Sequence, residues 1–206
     1  MKVLFATSNP AKVRNYKEKL LKLGIELLTL KDIDNHIPVE ETGKNAIENA
    51  YIKAKAYYDE LELPTIGMDN NLFIEGIPDE LQPGTYVRRI NGKELNDDEM
   101  IEHYTKLVKE YGGKLKARWV YGMVLINDGN TYEYSWSYED FYLVSDVNKK
   151  RNPGYPLDSI SIDKRLNKYF VDLTEEDRLN NKKQDKDDEV ISFIINSLNK
   201  THHFNP

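Results

Sequence analysis

The order of its hydrophobic patterns constrains this chain more than any other feature: short apolar runs alternate with longer stretches of helical period. Val3 to Thr7 reads as a strand. Ser8-Asn9-Pro10 follows with capping chemistry, since Ser or Asn caps a helix and Pro suits its first position. Lys12 to Leu23 then places Val13, Tyr16, Leu20 and Leu23 on one face, and Gly24 ends it. Glu26 to Leu30 is a second short strand. Lys44 to Leu61 is the clearest helix, with Ile47, Ala50, Tyr51, Ala54, Tyr58 and Leu61 at i, i+3, i+4 spacing. Thr65 to Asp69 reads as a buried strand that stops at Asp69-Asn70-Asn71 and resumes at Leu72 to Ile74. Asp97 to Tyr111 is a helix with Met100, Tyr104, Leu107 and Tyr111 inside, closed by Gly112-Gly113. Lys116 to Ile126 and Thr131 to Tyr138 flank Asp128-Gly129-Asn130, a hairpin signal. Asp187 to Leu198 predicts a closing helix with Val190, Ile191, Ile194 and Leu198 inward. Strands alternating with helices, plus one long hairpin, imply an α/β fold with a mixed sheet.

Composition narrows the function classes. A length of 206 residues fits one domain, or one domain of two lobes. There is no cysteine, so a disulfide scaffold, a thiolate zinc site and a cysteine nucleophile are excluded. The formal net charge is −6, which gives no general attraction to nucleic acid or anionic membrane but leaves room for a small basic pocket. The first apolar run is shorter than a signal-peptide core, and no stretch approaches the ~18 apolar residues of a membrane span. These observations predict a cytoplasmic protein. The four histidines show no metal-ligand spacing, with His36 and His103 alone and His202-His203 near the end.

Four segments could carry chemistry. Thr7-Ser8-Asn9-Pro10-Ala11-Lys12 joins a strand to a helix, where backbone N–H groups and a Lys one turn in can hold an anion. The same residues could equally form an ordinary capped helix. Glu40-Glu41-Thr42-Gly43 precedes the long helix, and its carboxylates could ligate Mg²⁺ or merely complement the helix dipole. Asn49 and Lys53 share one polar stripe of that helix, which by itself reads as a solvated face. Asp69, at the end of a buried strand, sits where α/β sheets place ligands, although an Asx turn also accounts for it. Arg88, after Pro83-Gly84-Thr85-Tyr86-Val87, is a cation that could reach a cleft or face solvent.

Taken in order, these segments resemble the inosine triphosphate pyrophosphatase family. Ala6 to Arg14 is similar to its A-T-G-N-P-x-K-x-x-E motif. Glu40-Glu41-Thr42-Gly43 with Glu48-Asn49-Ala50-Tyr51-Ile52-Lys53-Ala54 resembles E-E-T-G…E-N-A-x-x-K-A. Asp69-Asn70-Asn71-Leu72 resembles D-D-S-G-L, Pro83 to Arg88 resembles P-G-x-Y-S-x-R/K, and Leu173 to Arg178 resembles L-x-x-E-E-K.

The resemblance implies an elongated mixed sheet flanked by helices, in two lobes with a central cleft, and a homodimer. It implies hydrolysis of a nucleoside triphosphate to the monophosphate and pyrophosphate, with Mg²⁺ or alternatively Mn²⁺. Asn9, Lys12, Lys53 and Arg88 are then expected to hold phosphate oxygens, and Thr7 and Ser8 to contact the substrate beside them. Tyr155, Arg178 and Lys183 are expected on the nucleoside side. Glu40 and Asp69 are expected to bind the metal, with Asp69 also orienting or deprotonating the attacking water. Glu41 could substitute for Glu40. A non-catalytic nucleotide-binding protein on the same fold is the alternative, and a structural interaction module a third.

The chain also departs from the pattern. Asn15 replaces the Glu of the first motif, Met68 the first Asp of the Asp-Asp pair, and Asn70-Asn71 the Ser-Gly. The family's F-G-Y/W-D-P segment survives only as Pro153-Gly154-Tyr155-Pro156-Leu157-Asp158. Lys182-Lys183-Gln184 falls where the family has S-H-R. Selectivity built on buried hydrogen bonds is lost with its partners, so no inosine or xanthosine preference is expected from these residues.

Overall fold

The computed structural model describes residues 1–33, 37–180 and 186–200, apart from the side chains of Arg178 and Leu179. In chain order the elements are β1 (Lys2–Phe5), α1 (Pro10–Lys22), β2 (Glu26–Leu28), α2 (Ala46–Leu61) and β3 (Thr65–Ile74). They continue with β4 (Arg89–Ile90), β5 (Lys93–Glu94), α3 (Asp97–Glu110), β6 (Lys114–Asn127) and β7 (Asn130–Val144). The last are β8 (Ser161–Asp163), α4 (Glu175–Leu179) and α5 (Asp187–Asn199). Six strands form one sheet in the order β2-β1-β3-β6-β7-β8. β1 pairs in parallel with both β2 and β3, whereas β7 and β8 are antiparallel, so the sheet is mixed as expected.

The chain divides into two compact units. Among the described residues, the first comprises 1–33, 37–70, 121–136 and 186–200. Its main core packs Val3, Phe5, Ile66, Met68, Met123 and Leu125 of the sheet against Val13, Tyr16 and Leu20 of α1 and Val190, Ile191 and Ile194 of α5. A smaller cluster sets Ala50 and Ala54 of α2 on Val124 and Ile126 of β6. Backbone proximity governs this second contact. A Cβ on Gly67 of β3 would lie 1.9 Å from the Ala50 carbonyl oxygen, and one on Gly122 of β6 would lie 2.6 Å from Ala46 and Ile47 backbone atoms. Only glycine admits so close an approach of helix to sheet.

The second unit comprises residues 71–120 and 137–180 of those described. Leu72 and Ile74 of β3 pack there with Met100, Ile101, Tyr104 and Val108 of α3 and Phe141 and Leu143 of β7. The buried Tyr104 hydroxyl donates to the Val87 carbonyl at 2.8 Å.

Several expectations need correction. β3 does not stop at Asp69; it runs unbroken to Ile74, with Asp69 inside it. The hairpin strands extend to Lys114–Asn127 and Asn130–Val144, around a two-residue turn with Asp128 and Gly129 both at positive φ. Leu23 and Tyr51 are exposed, whereas Asn49 and Tyr57 are buried on α2. The face of α2 that meets the sheet carries Ala46, Ala50 and Ala54, because closely approaching backbones leave no room for large side chains there.

Candidate active site

The first unit gathers four charged residues around one strand. Asp69, only 8% exposed, is the centre. Its Oδ2 accepts a hydrogen bond from Asn49 Nδ2 at 3.0 Å, and its Oδ1 accepts one from Lys53 Nζ at 3.4 Å. Lys12 Nζ stands 3.9 Å from the same Oδ1 and donates to the Met68 carbonyl at 3.5 Å. Lys53 also pairs with Glu41 Oε1 at 3.3 Å.

Local sequence explains each position. Asn9 caps α1, accepting from the Ala11 N–H at 3.0 Å, and Pro10 fills the first turn. The short strand and this cap fix the start of α1, from which Lys12 reaches β3. Asn45 caps α2, accepting from the Glu48 N–H at 2.9 Å. Asn49 and Lys53 follow one turn apart on α2 and both face Asp69. Gly67 and Gly122 let that helix come close enough for its short amide to touch the carboxylate.

Asn49 is the connector that sequence reasoning set aside as solvated. It is 1% exposed. Its Oδ1 accepts the Gly43 N–H at 2.8 Å while its Nδ2 donates to Asp69. A backbone N–H can only donate, so the amide end facing Gly43 must be oxygen and the other end a donor. Asn49 thus ties the Glu40–Gly43 loop to Asp69. The available signal was its spacing from Lys53. A Cβ on Gly43 would lie 2.6 Å from Asn49 Oδ1, which explains the glycine.

Of the two adjacent glutamates, Glu41 joins the cluster and Glu40 is exposed. Thr7 is buried and its hydroxyl accepts the Asn9 N–H at 3.2 Å, whereas Ser8 is exposed. Burial and the neighbouring charge of Lys53 push the Lys12 ammonium down to about 8, against partial compensation by Asp69 and Glu41.

Met68 clarifies one departure from the motif. Side chains alternate along a strand, so residue 68 faces away from residue 69. Met68 lies in the apolar core with Phe5, Val13 and Val190. A methionine there extends that core and leaves the Asp69 cluster intact. Asn15 is exposed on α1.

The metal question turns on donors. Among the described residues no three His, Cys, Asp or Glu side chains form a metal cluster. Two carboxylates, Glu41 and Asp69, do converge on one cation, the Lys53 ammonium. Mg²⁺ is commonly held by one or two carboxylates plus waters and substrate phosphates. The residues therefore fit a metal that arrives with a polyphosphate and completes its shell from it.

In the second unit, Arg88 Nη2 donates to Asp97 Oδ1 at 2.8 Å and Nη1 to the Leu95 carbonyl at 2.9 Å. Asp97 Oδ2 in turn accepts the Gly154 N–H at 3.1 Å. Asp97, read from sequence only as a helix start, thus links the Arg88 loop to the turn before Tyr155. Tyr155 is half-buried, and Asn152 Nδ2 donates to Asp158 Oδ2 at 2.8 Å. Arg178 lies on α4 with its side chain outside the description, and Lys183, His36, His202 and His203 lie outside the described residues.

Comparison with known proteins decides the family. The model of the Ham1 family matches residues 3–180. The chain belongs to the Ham1 family. The resemblance drawn from five ordered motifs is thereby borne out. Among curated relatives of this Ham1-family chain, the dITP/XTP pyrophosphatase of Aquifex aeolicus is 31% identical over 190 residues, 86% of this chain and 88% of that one. The protein of the same name from Leptospira interrogans is 30% identical, covering 91% and 94%. The Ham1 protein of Staphylococcus aureus superposes with a TM-score of 0.72 at 21% identity, over 96% of this chain and all of that one. That of Coxiella burnetii gives 0.72 at 20% identity, over 96% and 99%. These two structures establish a shared fold. No helix among the described residues is long and apolar enough to cross a membrane.

Proposed function

We propose that this Ham1-family chain hydrolyses a nucleoside triphosphate to the monophosphate and pyrophosphate, with Mg²⁺ as the metal. The observation that carries the reading is the Lys12–Asp69–Lys53–Glu41 cluster, with Asn49 locking Asp69. Relatives named dITP/XTP pyrophosphatase support the reaction class. Two lysines on rigid helices supply cations for phosphate oxygens, and Asn9 and Thr7 hold the start of α1 beneath them. Asp69, with Oδ2 fixed by Asn49, presents Oδ1 to orient a water and take its proton. Glu41, ahead of Glu40, joins Asp69 as a metal ligand. Bound metal supplies Lewis-acid polarisation of the phosphoryl oxygens.

On their motifs, Arg88 as a phosphate contact and Tyr155, Arg178 and Lys183 as nucleoside contacts belong to the same reading. So does a homodimer, which the family resemblance supports, and a cytoplasmic location, where nucleoside triphosphates and Mg²⁺ are plentiful. The motif departures at Pro156 and Lys182-Lys183-Gln184 argue for an altered base preference.

The test is pyrophosphate release over a panel of standard and modified NTPs and dNTPs. Turnover of at least one, dependent on Mg²⁺ or Mn²⁺, is expected. If none is turned over, the hydrolase reading falls. Ligand-induced thermal stabilisation without product then identifies a nucleotide-binding protein.

A further inference from the structure

The signs of the four charges cancel: Glu41 and Asp69 are matched by Lys12 and Lys53. Their arrangement is more specific than a balance. Lys53 Nζ lies 3.3 Å from Glu41 Oε1 and 3.4 Å from Asp69 Oδ1, with its side chain 12% exposed. Its ammonium thus occupies the point on which both carboxylates converge. We infer that Lys53 is an internal stand-in for the metal, so that the site admits a divalent cation and a polyphosphate only as a pair. This rests on the hydrolase reading above and adds the form in which the ligand enters.

Each ligand alone meets an obstacle. A free divalent cation finds the carboxylates already neutralised, and to reach them it must expel Lys53 with no anion to receive it. A free polyphosphate finds the lysines already engaged, and to take them it must leave Glu41 and Asp69 facing each other uncompensated. Together the two ligands permit an exchange of partners. The carboxylates pass to the metal, the lysines pass to phosphate oxygens, and every charge keeps an opposite neighbour. Lysine suits the exchange, since its compact charge rides on a flexible four-carbon stem while α2 stays fixed. Linkage requires the effect to be mutual, so each ligand raises affinity for the other by the same factor.

Equilibrium dialysis of Mn²⁺ against the full chain, with and without inorganic tripolyphosphate, measures this directly and independently of base identity. The wild type should retain Mn²⁺ weakly alone and roughly 100-fold more tightly with tripolyphosphate, near the upper part of the usual coupling range. Lys53→Met should bind Mn²⁺ alone at least about tenfold more tightly than the wild type and show reduced coupling. Lys53→Gln provides the same comparison should the Met variant fail to fold. The inference is overturned if wild-type Mn²⁺ affinity is the same with and without tripolyphosphate, or if a folded Lys53 variant binds Mn²⁺ no more tightly. Dialysis involves no turnover. Absence of NTP hydrolysis would therefore sink the activity while leaving this result readable.

Discussion

Replacing Lys12 by Met should stabilise the protein at neutral pH while impairing phosphate binding. The folded ammonium is pushed from the ordinary 10.5 to about 8, chiefly by burial and then by Lys53. Between those values the unfolded chain holds a proton that the folded chain has released, so stability rises with pH across this window. Below the window both states are protonated and the folded state bears the whole penalty. At 1.36 kcal/mol per pH unit the gap corresponds to about 3 kcal/mol. The Lys12 side chain is only 14% exposed, so solvent screening removes little of it. Met keeps a similar stem without the charge. Urea unfolding of both proteins should show Lys12→Met more stable by about 3 kcal/mol at pH 7, or roughly 10 °C in Tm, and by less than about 1 kcal/mol at pH 10. All other titrating groups are common to both proteins, so the difference reports Lys12. A Met variant less stable than the wild type at pH 7 would refute the reasoning. So would an advantage that does not shrink by pH 10.

Four further substitutions probe the same framework. Asp69→Asn should lower turnover by about 10²–10⁴-fold while retaining nucleotide binding; near-normal pyrophosphate release would remove Asp69 from the chemistry. Asn49→Asp keeps an acceptor for the Gly43 N–H but sets a carboxylate against Asp69, so the acidic limb of the rate–pH profile should move upward; an unchanged profile at lower melting temperature would reduce Asn49 to a structural residue. Gly67→Ala drives a methyl into the Ala50 carbonyl and should cost about 3 kcal/mol or more, seen as a lower urea midpoint; tolerance would contradict the close helix approach. Asp97→Ala severs Arg88 from the Gly154 turn and should cost about 1 kcal/mol in urea unfolding; an unchanged midpoint would show the link to be dispensable.

Much of the fold was legible because its signals are local. The cap at Asn9-Pro10, the hairpin turn at Asp128-Gly129 and the faces of α3 and α5 each depend on residues within a turn or two of one another. The strand expected to stop at Asp69 shows where such reading fails. Asp69-Asn70-Asn71 has the composition of a turn, yet β3 continues through it beside its sheet neighbour β6, beyond the two residues, Thr65 and Ile66, that β1 pairs with. Local propensity lost to tertiary context there.

The candidate site shows the same division. Lys12, Lys53 and Asp69 come from three separate motifs, and the structure brings them together. Asn49 and Glu41 could not be ranked from sequence, because each depends on a distance set elsewhere. A polar residue on a helix reads as solvated until something draws that helix onto the sheet. Here Gly67 and Gly122 do so, and nothing in the residues around Asn49 records it. The choice between Glu40 and Glu41 likewise turns on which carboxylate meets Lys53. Met68 carries the point furthest. In the linear motif it is a lost carboxylate beside the one proposed to activate water. In the strand it points away from Asp69 into apolar packing with Phe5 and Val13. Adjacent in sequence means opposite in a sheet. The replacement that looked most damaging therefore bears on core stability, and the charges around Asp69 are the ones that activity measurements should follow.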